Sequence, residues 1–484
     1  MTARILSMTT FALLAFARIA TAQIEFGEEI IITEASDWAY AVYAADLDGD
    51  DDHDVIVGSI MDNKIVWFAN EGVIGFGTER IVPQTAPHPE SVIAADLDGD
   101  GDQDIIGAMS GDWYSNSAGA TVSWNENTDG AGTFSDQASI TDSAIGVNSV
   151  FAGDFDGDQD LDVLSASAVD DKIGFYRNDG TGAFGPQILL SDSADFARHV
   201  TAADIDGDGD LDAVSSAMLD DEVAWYENDG AGNFGAPRTI TDSAMDVRMA
   251  AFADIDGDGD PDAVVASFSD DKITWHENDG AGNFDTTHVV TDTADGAMWV
   301  VAEDFDGDGA VDLVYCSEND DKVGYYHNDG TGAFDYHVLI TNASDGPQAL
   351  YAADMDGDGD LDVIVASKED DKVAMYKNLA DYVSAEQRSD APTAFALEHS
   401  FPNPFNPTTT IRYTLPEAAT IRLTVYNALG EEIATLVDGA RNAGVHSATF
   451  NAANLAGGAY FYRIDALGVS GERFQETRKT LLVK

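Results

Sequence analysis

One spacing constrains this chain more than any other property. A nine-residue acidic block resembling D-x-D-G-D-x-D-x-D begins at Asp46, Asp96, Asp154, Asp204, Asp254, Asp304 and Asp354, at intervals of 50, 58, 50, 50, 50 and 50 residues. A phenylalanine precedes each block by 20 residues, at Phe26, Phe76, Phe134, Phe184, Phe234, Phe284 and Phe334. Seven units with fixed internal registry describe a repeat architecture, in which each unit buries its apolar face against its neighbours. Apolar residues show no 3.6-residue period, which excludes a helical solenoid.

Each unit reads as four short strands. In the fourth, Val200 to Ala203 runs into the acidic block and Ala213 to Ala217 leaves it. Leu219-Asp220-Asp221 turns the chain, Glu222 to Glu227 alternates, and Asn228-Asp229-Gly230 signals a hairpin before Pro237 to Thr241. Four strands every ~50 residues match a propeller blade. The last unit stops after its third strand, Lys372 to Asn378, whereas the chain starts with an orphan fourth strand from Phe26-Gly27 to Thr33. The orphan would complete the last blade and close the ring, removing exposed sheet edges. The fold class expected is therefore all-β: a seven-bladed β-propeller over residues 24–379, followed by a small C-terminal β-sandwich.

The ends carry different signals. Residues 1–22 read as a secretory signal peptide, with Arg4, an apolar run from Ile5 to Ala17, and Ala20-Thr21-Ala22 as the cleavage site. Arg18 is irregular there, and the run is too short to span a bilayer. Residues 380–393 are a polar linker, and residues 394–484 alternate apolar and polar positions, as in Ile421 to Tyr426, between glycine turns.

Charge narrows the function. The net charge is −66, yet residues 394–484 hold 8 basic and 8 acidic residues, so the excess lies entirely in the repeats. Such a surface excludes nucleic acid and anionic membranes as electrostatic partners. The single cysteine, Cys316, allows no intramolecular disulfide and reads as a small buried hydrophobe. An exported chain without disulfides needs another staple.

The acidic blocks supply one. Their candidate ligands are Asp46, Asp48, Asp50, Asp52 and Asp54; Asp96, Asp98, Asp100, Asp102 and Asp104; Asp154, Asp156, Asp158, Asp160 and Asp162; Asp204, Asp206, Asp208, Asp210 and Asp212; Asp254, Asp256, Asp258, Asp260 and Asp262; Asp304, Asp306, Asp308, Ala310 and Asp312; and Asp354, Asp356, Asp358, Asp360 and Asp362. Oxygen donors at positions 1, 3, 5, 7 and 9 of each block, with glycine at the turn, suit calcium; no thiolate or imidazole invites zinc, copper or iron. Ala310 at position 7 points to the backbone carbonyl there. Position 6 is glycine except at Asp51 and Gln159, and a left-handed turn would make Gln159 the costlier of the two, leaving the third site weakest. Position 12 is Val57, Ser215 or Val365 where an EF-hand needs glutamate. About seven Ca²⁺ ions, one per blade, are expected.

Two places could take a ligand. The second unit's extra residues surround Trp113 and Tyr114, an aromatic pair able to stack on a sugar or grip a peptide. The residue six before each block, namely Tyr40, Glu90, Asn148, Arg198, Arg248, Met298 or Gln348, starts the strand that would line a central channel. Its variety contrasts with the aliphatic residue two positions later, and Tyr40, Arg198 and Arg248 are the favoured contacts. No nucleophile elbow, zincin or phosphate-loop motif occurs. His276 and His327 read as strand residues at positions held by Tyr or Phe in sibling blades. A binding or adhesion module for an extracellular glycan or protein is favoured; a polysaccharide-active enzyme or its carbohydrate-binding component, and a structural surface coat, are the alternatives.

Asp96, Asp98, Asp100, Gly101 and Asp104, with their equivalents in the last four repeats and the Phe-Gly segments, resemble the FG-GAP/VCBS repeat family of integrin-type propellers. That resemblance implies a seven-bladed ring and calcium. In the tail, Ser400-Phe401-Pro402-Asn403-Pro404-Phe405-Asn406-Pro407, Val425 to Gly430 and Leu455 to Tyr460 resemble a type IX secretion sorting domain of the FlgD Ig-like kind. This second resemblance implies a partner, the outer-membrane secretion machinery, and a secreted or cell-surface protein.

Overall fold

The computed structural model describes residues 24–379 except 73–74 and 112–118, and most of residues 395–482, leaving out 398–407, 417–418, 428–431, 442–443, 453–454, 456–457 and 469–472. The expected signal peptide, the linker and the Ser400–Pro407 motif lie outside the described residues. Every regular element described is a strand.

The repeats form seven four-stranded antiparallel sheets. In the fourth blade, Ala197–Ala203, Asp212–Ala217, Glu222–Tyr226 and Arg238–Thr241 pair in chain order from the inside out. The second strand of every blade is wholly buried, as in Asp212–Ala217, because both of its faces meet neighbouring blades. That is why these strands read as unbroken apolar or small-residue runs, not alternating ones.

Closure follows from the phase of the repeat. Ile30–Thr33 pairs antiparallel with Lys372–Tyr376, so that Ile30 faces Met375 and the last sheet contains the first strand of the chain. Phe26 extends the pairing through a bridge to Asn378. Seven apolar clusters fill the seven blade interfaces, including one that joins Val42, Val55 and Val57 of the first blade to Ile364, Val373 and Met375 of the last. Tyr43 and Tyr351 meet across that seam with ring centroids 4.5 Å apart.

The C-terminal unit has its own core. One sheet contains Ala396–Leu397, Thr408–Leu415 and Gly444–Asn451; the other contains Glu432–Arg441, Ala419–Tyr426, Gly458–Gly468 and Arg473–Leu482. Ile411, Tyr413, Leu423, Val425, Phe450 and Tyr462 pack between them.

Candidate metal centres and channel mouth

Each acidic block is the connection between the first and second strands of its blade, and its backbone holds its own carboxylates. Asp46 accepts hydrogen bonds from Gly49 N–H at 2.8 Å and Asp51 N–H at 3.0 Å, and Asp50 accepts from Asp52 N–H at 3.1 Å. Asp96 and Asp354 repeat this wiring. Such a wrap requires left-handed backbone at position 6, where φ is +72° at Asp51 and +77° at Gln159. Position 4 is tighter still: Gly49 has φ +77°, and a Cβ there would stand 2.9 Å from the Gly130 carbonyl of the next blade.

Position 9 anchors the loop from below. Asp212 is fully buried; its Oδ2 accepts from Ile205 N–H at 3.1 Å and its Oδ1 from Asn228 N–H at 2.8 Å. Burial pushes the Asp54, Asp104, Asp162 and Asp362 carboxyls up to about 7 and those of Asp212 and Asp262 to about 6, against the pull of these donors. Neighbouring aspartates push the same way.

The donor set fits a divalent cation. Single oxygens from Asp46, Asp48 and Asp50, from Asp154, Asp156 and Asp158, and from Asp204, Asp206 and Asp212 lie within 4.8 Å of one another in each group. Asp48, Asp156 and Asp206 at position 3 each bury an Oδ1 that no donor reaches, and Asp360, 2% exposed, does the same. A buried, unbonded carboxylate oxygen among like charges is costly unless a cation neutralises it. Oxygen-only loops of this kind match calcium chemistry; the sixth loop departs from the expected absence of imidazole, because a His327 ring nitrogen gathers with Asp306 and Asp308 within the same distance. The side chain at position 7 packs over a turn glycine of its own blade, as Asp210 does over Gly230.

Three features of the site escaped the sequence reading. The first is an asparagine ending every third strand. Asn228 donates from Nδ2 to Leu211 O of its own loop at 3.0 Å and to Phe155 O of the preceding blade's loop at 2.8 Å. The bond between blades recurs, at 2.6 to 2.9 Å, from Asn70 to Met355, Asn127 to Leu47, Asn178 to Leu97, Asn278 to Ile205, Asn328 to Ile255 and Asn378 to Phe305. Seven clamps thus tie each loop to the next around the ring. Recurrence of asparagine at the same place in every repeat was the available signal, and it read instead as a turn residue.

The second feature is a bulge. Each innermost strand slips register around one residue, between Ala197 and His199 in the fourth blade, and the extra residues are Tyr40, Glu90, Asn148, Arg198, Arg248, Met298 and Gln348. A bulge re-aims its side chain. All seven line a central cavity of about 470 Å³. Tyr40, Glu90, Asn148, Arg198 and Arg248 also line its mouth, beside Ser110, Val169 and Met218 of the second-to-third-strand loops.

Arg198 spans that mouth. Its guanidinium donates to the Tyr40 hydroxyl, stands 5.5 Å over the Tyr40 ring and lies 3.9 Å from Glu90 Oε2. Ser110 Oγ donates to Glu90 Oε1 at 2.9 Å. Burial pushes the Glu90 carboxyl up; burial lowers Arg198, but Tyr40 and Glu90 outweigh it and hold the guanidinium above its ordinary value. Arg248 pairs with Asp246 at 3.2 Å and lies 4.4 Å over Phe268, and burial and then repulsion from Arg198 lower its pKa. His199, pushed down to about 4 by burial and by Arg198, meets Trp299 edge-on at 5.6 Å. Trp113 and Tyr114 lie outside the described residues.

The third feature is the residue before the clamp asparagine, which in the third and seventh blades meets position 3 of the loop: Arg177 NH1 lies 2.5 Å from Asp156 Oδ2, and Lys377 pairs with Asp356. His327 belongs to this set. The register pairs Leu313 with Tyr326, as it pairs Ala213 with Tyr226, so His327 aligns with Glu227 and not with the Tyr/Phe position. Its Nε2 is 3.5 Å from Asp306 Oδ2. His276, opposite Ala263, does hold the Tyr/Phe position. Cys316 is fully buried, and burial raises its thiol pKa.

Comparison with known proteins decides the family. A model described as an FG-GAP-like repeat matches residues 46–107, 154–215, 216–265, 254–315 and 304–365, together more than half of the chain. The chain belongs to the FG-GAP-like repeat family. In this FG-GAP-like protein, residues 399–474 match a secretion system C-terminal sorting domain, so the propeller is exported, to the cell surface or beyond. No curated protein matches the chain. Among solved structures, the FG-GAP-like chain is similar to an Agrocybe aegerita lectin that recognises non-reducing terminal N-acetylglucosamine (21% identity, 63% of this chain and 81% of that one, TM-score 0.46). It is also similar to BBS1N in complex with ARL6DN (10%, 73% and 96%, 0.49) and to the V. cholerae biofilm matrix protein Bap1 (14%, 81% and 66%, 0.37). No helix among the described residues is long and apolar enough to cross a membrane.

Proposed function

We propose that this exported propeller is a calcium-loaded, non-enzymatic binding module whose channel mouth receives an extracellular glycan or protein. One observation carries the reading: the ring repeats its backbone blade by blade but varies the single bulged side chain that each blade aims into the cavity. Chemical variety on a uniform frame serves recognition. Aromatic, cationic and amide groups at the rim suit a polar ligand held by stacking and hydrogen bonds. In the sequence, Trp113 and Tyr114 follow closely on Ser110, itself at the mouth.

In this reading the positions 1, 3, 5 and 9 carboxylates, with the position 7 carbonyl, hold one calcium ion per loop. The ion neutralises the loop's charge. The sorting domain supplies export, and its partner is the secretion machinery.

The test is a glycan and matrix-protein array probed at millimolar calcium and again with excess chelator. Calcium-dependent capture without product release is expected, and Arg248→Ala weakens it about ten-fold or more. Arg198→Ala is a poorer probe, because it strands the buried Glu90 carboxylate and so costs stability as well. Release of oligosaccharides would instead establish an enzyme, and calcium-driven sheets or filaments a coat.

A further inference from the structure

The seven loops are nearly identical in their aspartates but not in what faces them. The residue before each clamp asparagine occupies one backbone position in every blade, fixed by the N–H bond from asparagine to position 9, at 2.8 Å for both Asn178 and Asn228. In the third blade that residue is Arg177, whose NH1 reaches Asp156 Oδ2 at 2.5 Å. In the seventh it is Lys377, whose ammonium pairs with Asp356 Oδ2. In the fourth and fifth blades the same backbone position, set by the Asn228 and Asn278 N–H bonds to Asp212 and Asp262 at 2.8 Å, holds Glu227 and Glu277, acidic where the third and seventh blades are basic. Those glutamates are exposed at their ends, 3.5 Å from Arg238 NH1 and 3.7 Å from His288 Nε2 respectively.

Calcium needs the position 3 carboxylate, and its affinity follows the charge and rigidity of the ligand shell. We propose that the loops fall into two affinity classes: Arg177 and Lys377 act as built-in cations that weaken calcium binding in the third and seventh blades, while Glu227 and Glu277 strengthen it in the fourth and fifth. This rests on the calcium reading above. The third loop has an independent handicap, since Gln159 holds φ +77° where the fourth and fifth have Gly209 and Gly259. The seventh blade is the seam, completed by Ile30–Thr33. A seam loop that carries its own counter-charge keeps the ring shut as calcium falls, while the fourth and fifth loops lose theirs last.

Calorimetric titration of the full chain, stripped of metal and titrated with calcium chloride, reads the classes directly. The unsubstituted chain is expected to show at least two classes differing by roughly ten-fold or more. Lys377→Gln moves one site from the weak to the tight class, and Glu227→Lys moves one the other way. Arg177→Gln tightens the third site, though less than Lys377→Gln tightens the seventh because Gln159 remains, and it also removes donors to the Ala231 and Gly232 carbonyls of the next blade, so its fold is checked by circular dichroism. Sensitised terbium emission gives the same count without calorimetry. Calcium uptake in one class, indifferent to the Lys377 and Glu227 substitutions, overturns the two-class proposal and leaves the calcium reading intact. No uptake by the unsubstituted chain overturns both.

Discussion

Asn228 shows how much one side chain does in a ring of repeats. Its amide satisfies two buried carbonyls, Leu211 O in its own blade and Phe155 O in the one before, while its backbone N–H holds Asp212. Asn228→Ala therefore leaves two carbonyls without donors and is expected to cost about 2 to 4 kcal/mol; a chemical denaturation curve measures it. Asn228→Asp is predicted to be no better, because it exchanges the donor for a buried charge beside Asp212. A loss below about 0.5 kcal/mol in both variants would show that the clamps are incidental. Glycine makes a comparable contact one loop away: Gly282 has φ +70°, and a Cβ there would lie 2.2 Å from Cζ2 of Trp225 in the preceding blade. These contacts join neighbouring blades at the same rim that holds the acidic loops.

At the scale of the strand, the closing element is the sharpest test. Among the described residues Ile30–Thr33 is the outer partner of Lys372–Tyr376, so a chain lacking residues 24–33 exposes a sheet edge and opens one interface. That truncated chain is predicted to melt several degrees lower, about what a few kcal/mol imply for a domain of this size. A synthetic peptide of residues 24–34 added in trans should restore part of the loss by strand addition. Restoration failing while the truncated chain melts normally would mean the seam is not held here. Much of this level was legible in the sequence. The 50-residue phase and the orphan strand gave four strands per blade and the way the ring closes, because both are properties of spacing. The bulge at Arg198 was not legible, since a one-residue slip changes pairing without changing composition. His327 was misplaced by one residue for the same reason: alternation along a strand is a weak ruler until its partner strand is known. The clamp asparagines were visible as a pattern, but their partners lie a blade away, 73 residues back for Asn228.

The whole molecule joins a ring crowded with carboxylates to a neutral sandwich with a core of its own. Its charge sets the terms of stability. The acidic loops of the first four blades each gather three carboxylates within ligand distance, and burial already pushes Asp54, Asp104 and Asp362 up to about 7. With calcium at ten times each site's dissociation constant, a loop gains about 1.4 kcal/mol, and seven gain about 10, the size of a domain's entire stability. The measurement that bears most directly on this account is a calorimetric melt of the full chain in millimolar calcium and in excess chelator. The account predicts that the propeller transition falls by about 10 °C or more on chelation, while the transition of the C-terminal sandwich, whose sequence holds no such acidic block, stays where it was. Superimposable melts in the two buffers would contradict it.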